Sequence, residues 1–327
     1  MLKRMVSCVL AMVLVLGLVS IPAVALASVH RYDWDGTDGA WNDPVNWHDT
    51  GGGSYPTAGD AAFFGGITGY TVTLDDDSAA TVNVEYFVPL GMGGEWTWDG
   101  GSLTVSDSFN YGNPEASTFD AVLGGEGALN ITDGSLTLNN ANTYTGTTTV
   151  SGGTLYAANE QALGTGDVIL KDGGTLQVSR DDSDIGTLNV GGSFTMQDGG
   201  IYEYAIGSSA QHDLIDVAGD LTLDDGWVLR LVDDGLGQNG SIFANNEFDL
   251  FRYTGELDAT TGSTQLTGVE IDDGLVDWDV SSAGVFYDGS RVYLTDVTGE
   301  DSPPIPEPAG LSLLGMALLG LKRRKRS

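Results

Sequence analysis

Residues 134–178 read GSLTLNNANTYTGTTTVSGGTLYAANEQALGTGDVILKDGGTLQV, and the way this stretch turns decides the fold. Small turns at Gly134, Gly152-Gly153 and Asp172-Gly173-Gly174 are each followed by an apolar residue at every second position: Leu136/Leu138, Leu155/Ala157 and Leu176/Val178. Side chains alternate across a strand, so each pair shares one face and Thr137 or Gln177 takes the other. Two structures satisfy this pattern. Coils of a solenoid stack so that every apolar pair lies on the next, while an antiparallel meander uses the same Asp-Gly and Gly-Gly pairs as hairpin turns.

The pattern extends outward on both sides. EWTWDGGSLTVS (residues 95–106), TLNVGGSFTMQ (187–197) and LIDVAGDLTLDD (214–225) carry the equivalent pairs Leu103/Val105, Phe194/Met196 and Leu221/Leu223. First members of successive pairs are 33, 19, 21, 18 and 27 residues apart. A period near 20 residues favours stacked coils, because a single coil cannot bury its apolar stripe alone. Nothing between Ser28 and Gly299 shows sustained helical periodicity, and Val, Thr, Leu and Ile alternate between Gly- and Asp-rich turns. The expected class is all-β: a parallel β-helix with an N-terminal cap, with an antiparallel meander or sandwich as the alternative.

The quoted stretch is similar to the autotransporter-associated β-strand repeat. The residues that carry the likeness are Asn142-Thr143-Tyr144-Thr145-Gly146, Thr147-Thr148-Thr149-Val150, Gly153-Thr154-Leu155 and Ala162-Leu163-Gly164. The resemblance implies a right-handed parallel β-helix displayed outside a bacterial cell. No translocator barrel is recognised after it, so the expectation is a passenger-type repeat without autotransport. Upstream, YDWDGTDGAWNDPVNWHDTGGGSYPTAGDAAFF (residues 32–64) resembles the opening of many secreted repeat proteins. The expected organisation is a signal peptide at 1–27, a β cap at 28–94, β-helix repeats at 95–227, a C-terminal β region at 228–298, a Pro-rich linker at 299–308, and an apolar segment with a basic tail at 309–327.

Both ends read as delivery signals. Lys3 and Arg4 precede an apolar run that closes on Ala25-Leu26-Ala27 before Ser28, a secretory leader with a small-residue cleavage site. Cys8, the one cysteine, lies inside that leader, so the mature chain has neither disulfide nor thiolate metal site. At the other end Pro306-Glu307-Pro308 precedes an apolar run over 309–321 and the cluster Lys322, Arg323, Arg324, Lys325, Arg326. As a helix that run would reach about 20 Å, short of the ~30 Å hydrocarbon core. The basic cluster would hold its end on the cytoplasmic side. The order of parts resembles the PEP-CTERM sorting signal. That likeness implies transient membrane insertion and an exosortase-type processing enzyme as a partner, after passage through the secretion translocon.

Charge narrows the partners. The chain has 46 Asp and Glu against 13 Lys and Arg, a formal net charge of −33. Between Ser28 and the Pro-Glu-Pro there are 45 acids and six bases, Arg31, Lys171, Arg180, Arg230, Arg252 and Arg291, a net −39. Such a surface repels nucleic acid and anionic lipid and attracts cations. Nucleic acid is therefore excluded as a partner, and extracellular polysaccharide is the candidate ligand.

A search for chemistry returns little. Acidic doublets are plentiful, at Asp75-Asp76-Asp77, Asp181-Asp182, Asp224-Asp225, Asp233-Asp234 and Asp272-Asp273. Asp beside Gly is ordinary turn composition, and a glycoside hydrolase needs two carboxylates at a defined separation. His30, His48 and His212 show no ligand spacing, although His212-Asp213 could orient a base. Asp33 and Asp35 begin like a calcium loop, but Asp38 stands where Gly is required and Pro44 where Glu is required. Turn aspartates Asp181, Asp182 and Asp184 remain as candidates for weak calcium binding; no other cofactor and no catalytic residue is assigned. Trp34, Trp41 and Trp47 could stack on sugar rings or fill the core of the cap. The reading is a non-enzymatic, secreted surface or matrix protein with a structural or adhesive role. A carbohydrate-binding module is the second reading, and a polysaccharide lyase or hydrolase on a β-helix the third.

Overall fold

The computed structural model describes residues 30–34, 38–49, 55–65, 69–74, 81–89, 94–179, 185–208, 211–233, 247–259, 265–266, 268–273, 278–279, 282–295 and 297–299. Apart from one 3-10 turn at Pro44–Asn46, the regular structure among them is β. The strands form two long sheets, a shorter third, and a two-stranded antiparallel ribbon of Trp278–Asp279 and Thr298–Gly299.

Sheet 1 runs through Arg31–Trp34, Ala61–Phe64, Thr81–Pro89, Ser102–Tyr111, Ala128–Ile131, Thr148–Val150, Val168–Leu170, Phe194–Met196, Leu221–Leu223 and Leu257–Ala259, each parallel to the next. Sheet 2 runs likewise through Gly39–Ala40, Thr71–Thr73, Trp96–Asp99, Ala116–Phe119, Ser135–Leu138, Gly153–Ala157, Gly174–Gln177, Ile201–Ser208, Trp227–Asp233 and Val269–Asp273. Strands alternate between the sheets along the chain, which is the winding of a parallel β-helix. The turns join one sheet to the other rather than folding a strand back on its neighbour, so the meander does not form. The ladders already run through residues 31–89, so the residues expected to form the cap share these two sheets with the repeats. Trp47–Asp49 lies antiparallel on Arg31–Trp34 and ends sheet 1 on the N-terminal side.

From Thr187 onward each coil acquires a third side. Thr187–Val190, Leu214–Val217 and Phe248–Tyr253 stack in parallel as sheet 3, which is closed by the antiparallel pair Arg291–Thr295 and Gly284–Tyr287. Coil length follows: Leu136, Leu155 and Leu176 are in register at steps of 19 and 21 residues, whereas Leu176, Tyr202 and Leu229 step by 26 and 27.

The core is a set of stacks. Leu129, Thr148, Val168, Phe194 and Leu221 lie one on another along sheet 1, and Leu136, Leu155, Leu176, Tyr202 and Leu229 along sheet 2, all buried. Burying a Leu or Phe side chain contributes about 1.5–3 kcal/mol, and each one here lies against the coils on both sides. All six apolar pairs found in the sequence point inward. They do not form one ladder, however: Leu136, Leu155 and Leu176 belong to sheet 2, while Leu103, Phe194 and Leu221 belong to sheet 1. The small Gly-rich corners entering sheet 1 have the same chemistry as those entering sheet 2, so the two read alike.

Candidate binding surface

Trp34, Trp41 and Trp47 lie inside the N-terminal coils, 4%, 1% and 7% exposed. Trp47 meets Trp34 edge-on at 4.9 Å between ring centroids and Trp41 at 4.8 Å, and Phe64 packs against all three. The Trp47 indole N–H donates to the Trp41 carbonyl at 2.6 Å, and that of Trp41 to the Pro56 carbonyl at 3.2 Å. Asp43 caps the 3-10 turn by accepting from the Val45 amide, which sets the angle at which Trp47 enters the core. These rings are buried against one another and offer no face to a sugar; they fill the core of the N-terminal coils.

Asp181, Asp182 and Asp184 lie outside the described residues, as do Ala25, Ala27 and Ser28 of the leader, Pro306, Glu307 and Pro308, and Lys322–Arg326. Among the described residues no three His, Cys, Asp or Glu side chains assemble to hold a metal. His212 places Nδ1 2.9 Å from the backbone oxygen of Asp213, not from its carboxylate. That carboxylate is buried and accepts from the amides of Gly186 and Ala205 at 2.9 and 3.0 Å. The pair therefore joins coils and does not present a base to solvent.

The repeat motif has a structural reason. Asn142 is buried; its side-chain oxygen accepts from the Leu123 amide at 2.8 Å and its amide donates to the Ala162 carbonyl at 2.7 Å. One side chain thus bonds the coil before and the coil after. The Tyr144 hydroxyl sits 2.6 Å from that of Thr148 within the core, and burial pushes its pKa well up, outweighing the opposing Thr148 bond. At Gly146 a Cβ would collide with the Gly127 carbonyl, and at Gly134 (φ +63°) with that of Asn113. Those positions exclude any other residue because coil backbones touch there.

Charge lies at corners and ends and in one ion-paired row on sheet 2. Of the five described basic residues four are engaged internally. Arg31 pairs with Asp33 and lies over the Phe63 ring; Arg230 bridges Glu203 and Asp272 across three coils. Arg252 pairs with Asp249, and Arg291 reaches Glu247, Asp249 and Asp288. Exposed aspartates Asp172, Asp198 and Asp225 recur at the corner between sheets 1 and 2, where the Gly173, Gly199 and Gly226 amides donate successively to the Gly199, Gly226 and Gly268 carbonyls. At the corner that leads into sheet 1, Asp167 accepts from the Ser193 amide, Ser193 from that of Asp220, and Asp220 from that of Glu256. Much of the acidity visible in the sequence is therefore corner chemistry.

Among the described residues, two surfaces are open enough to meet a ligand. A groove of about 680 Å³ lies where sheet 3 begins, lined by residues that include Ala157, Asn159, Glu160, Gln161, Val178 and Thr187. The outer face of sheet 2 carries Thr71, Thr97, Thr118 and Thr137 in register on four consecutive strands, followed by Tyr156 and Gln177. Of this row the sequence pattern places only Thr137 and Gln177 opposite apolar pairs; the alignment of Thr71, Thr97 and Thr118 with them depends on the parallel register.

Comparison with known proteins agrees with this architecture. Residues 133–157 match the passenger-associated-transport-repeat family. They span the coil from Asp133 to Ala157 that contains Asn142, Tyr144 and Gly146. The chain is 31% identical over 262 residues, 72% of its length, to the adhesin BmaC autotransporter of Brucella suis biovar 1 (strain 1330). The match spans 7% of that much longer protein. The chain is thus similar, over most of its length, to a short section of an autotransporter adhesin.

Proposed function

We propose that this chain is the rigid body of a secreted or surface-displayed protein with an adhesive or structural role. The observation that carries the reading is the passenger-type repeat at residues 133–157, set within a continuous parallel β-helix that resembles part of an adhesin. A stack of coils whose buried side chains such as Asn142 and Asp213 bond coil to coil serves extension and display rather than turnover. The small-residue cleavage site at Ala25-Leu26-Ala27 and the ordered Pro-Glu-Pro, apolar run and basic cluster support export followed by exosortase processing.

The test is to express the full chain, and a form ending before Pro306, in the producing cells. Intact cells would be labelled with antibody to the ectodomain, the mature C-terminus sequenced by mass spectrometry, and attachment measured with the gene deleted. Surface label that depends on the tail, a mature protein lacking Lys322–Arg326, and reduced attachment on deletion are the expected results. Retention of the chain inside the cell, or attachment and envelope integrity unchanged by deletion, would overturn the reading.

A further inference from the structure

We propose that the outer face of sheet 2 between Thr71 and Tyr156 is the adhesive surface, and that it takes an uncharged, extended polysaccharide chain lying across the strands. This rests on the adhesive reading above and specifies its ligand.

The row is continuous. Thr71 pairs with Thr97, Thr97 with Thr118, Thr118 with Thr137 and Thr137 with Tyr156. A second outward row lies beside it, Ala116, Ser135 and Thr154. Parallel strands sit about 4.8 Å apart, so the first row presents hydroxyls at that interval over about 19 Å. None of the four threonine hydroxyls is engaged in a hydrogen bond within the described structure. Among the described residues sheet 1 has no equivalent. Its outward row passes from Asn110 and Asn130, whose amides bond to each other, through Thr149 to Ile169 and then Thr195 and Thr222.

Charge selects the partner. The threonine row bears no ionic group over these coils, although the chain carries a net −33, and the second row bears one only at Glu95, which precedes Trp96 and stands level with Ala116. Further along, the first row becomes Glu203, Arg230 and Asp272, joined to each other by ion pairs. Glu95, Asp99, Glu115 and Asp120 border the neutral strip at the strand ends. Such a rim accepts hydrogen bonds from sugar hydroxyls and repels carboxylated or sulfated chains. A ligand that uses a repeating row of hydroxyls must itself repeat, which a polysaccharide does and a compact protein surface does not. Tyr156 ends the strip with a ring suited to the apolar face of a sugar.

The probes are insoluble cellulose, xylan and mannan, with polygalacturonate-coated beads as the anionic comparison, and the readout is a depletion isotherm of the full secreted chain. Replacing Thr97, Thr118 and Thr137 together by Val removes the hydroxyls while keeping β-branched side chains suited to a strand. That variant is expected to bind at least one neutral glycan about tenfold more weakly, a loss of about 1.4 kcal/mol. Replacing the same three by Glu abolishes binding, and replacing Thr149, Thr195 and Thr222 on sheet 1 by Val leaves it within about twofold; circular dichroism verifies each fold. Raising the salt leaves the wild-type isotherm unchanged, because no ionic pairing is involved. Equal loss in both Val variants, no loss in the sheet 2 variant, a steep salt dependence, or failure to bind all three neutral glycans would overturn the proposal. Failure to bind them by a protein that still supports cell attachment would reject this face alone; attachment unaffected by gene deletion would reject the adhesive reading itself.

Discussion

Asn142 shows how much one side chain can hold in a stacked fold. Its two bonds, to the Leu123 amide and the Ala162 carbonyl, join the coils on either side of its own. Asn142→Ala leaves both groups buried and unpaired, at roughly 1–3 kcal/mol for each such loss. Urea unfolding should therefore show a destabilisation of about 2–4 kcal/mol, while Asn140→Ala, at the mouth of the same loop, costs less than half as much. The buried tyrosines supply a second residue-scale prediction. Burial pushes the Tyr111 pKa up to about 12, although hydrogen bonds from Ser117 and Asn113 pull it down, and Tyr144, Tyr202 and Tyr204 are raised as well. A free tyrosine ionises near pH 10, so the unfolded chain loses protons there while the folded chain holds them. Stability from these groups is complete below about pH 10 and is lost as pH rises toward 12. Tyrosinate absorbance should titrate in two stages, the second coinciding with loss of β-structure; a single stage near pH 10 with the fold retained would contradict the buried positions.

At the scale of the element, the closing pair of sheet 3 depends on one arginine. Arg291 donates to Asp249, Asp288 and Glu247, and its guanidinium lies 4.4 Å from the Tyr293 ring centroid. Burial raises the Asp249 pKa, but the bonds and charges of Arg291 and Arg252 outweigh that and hold it below the ordinary carboxylate range. A depressed carboxylate contributes stability above its unfolded pKa, about 3.9, and loses it as pH falls through the lower folded value. Amide exchange in Phe248–Tyr253 and Arg291–Thr295 should accelerate below about pH 4 before it does in sheets 1 and 2. In Arg291→Ala the same exchange should be fast already at neutral pH. Much of this element structure was legible in the sequence, because the alternation of Leu155/Ala157 or Phe194/Met196 fixes which side chains turn inward whatever sheet they enter. The addition of a third side at Thr187 was not legible. Thr187–Val190 alternates like any other strand, and Gly191-Gly192 has the same turn chemistry as Gly152-Gly153, so only the lengthened step from Leu176 to Tyr202 betrays the change. The threonine row of sheet 2 was hidden for a related reason: Thr118 and Thr137 become neighbours through strand register, which a repeat interrupted by loops of different length does not display.

For the whole molecule, the dominant long-range term is self-repulsion. The cations of the ectodomain are largely committed to internal pairs, while exposed corner aspartates recur coil after coil. The Debye length falls from about 30 Å at 0.01 M salt to about 8 Å at 0.15 M, which screens corner from corner but leaves the buried stacks untouched. Melting temperature should therefore rise by several degrees over that range for a net charge of this size, with the same gain from any monovalent salt; no gain would mean the corner charges are already compensated. The arrangement of the ends has a mechanical consequence. At each described end one sheet is finished by an antiparallel partner, Trp47–Asp49 on sheet 1 and the pair Gly284–Tyr287/Arg291–Thr295 on sheet 3, whereas the coils between them stack on their neighbours in parallel. Under tension applied at the ends, load reaches these terminal clasps first, and the interior rungs are exposed to it only one at a time as each clasp yields. A body built this way resists a steady pull through its two ends and, once they give, lengthens in steps of a coil's worth of chain, dissipating force rather than snapping.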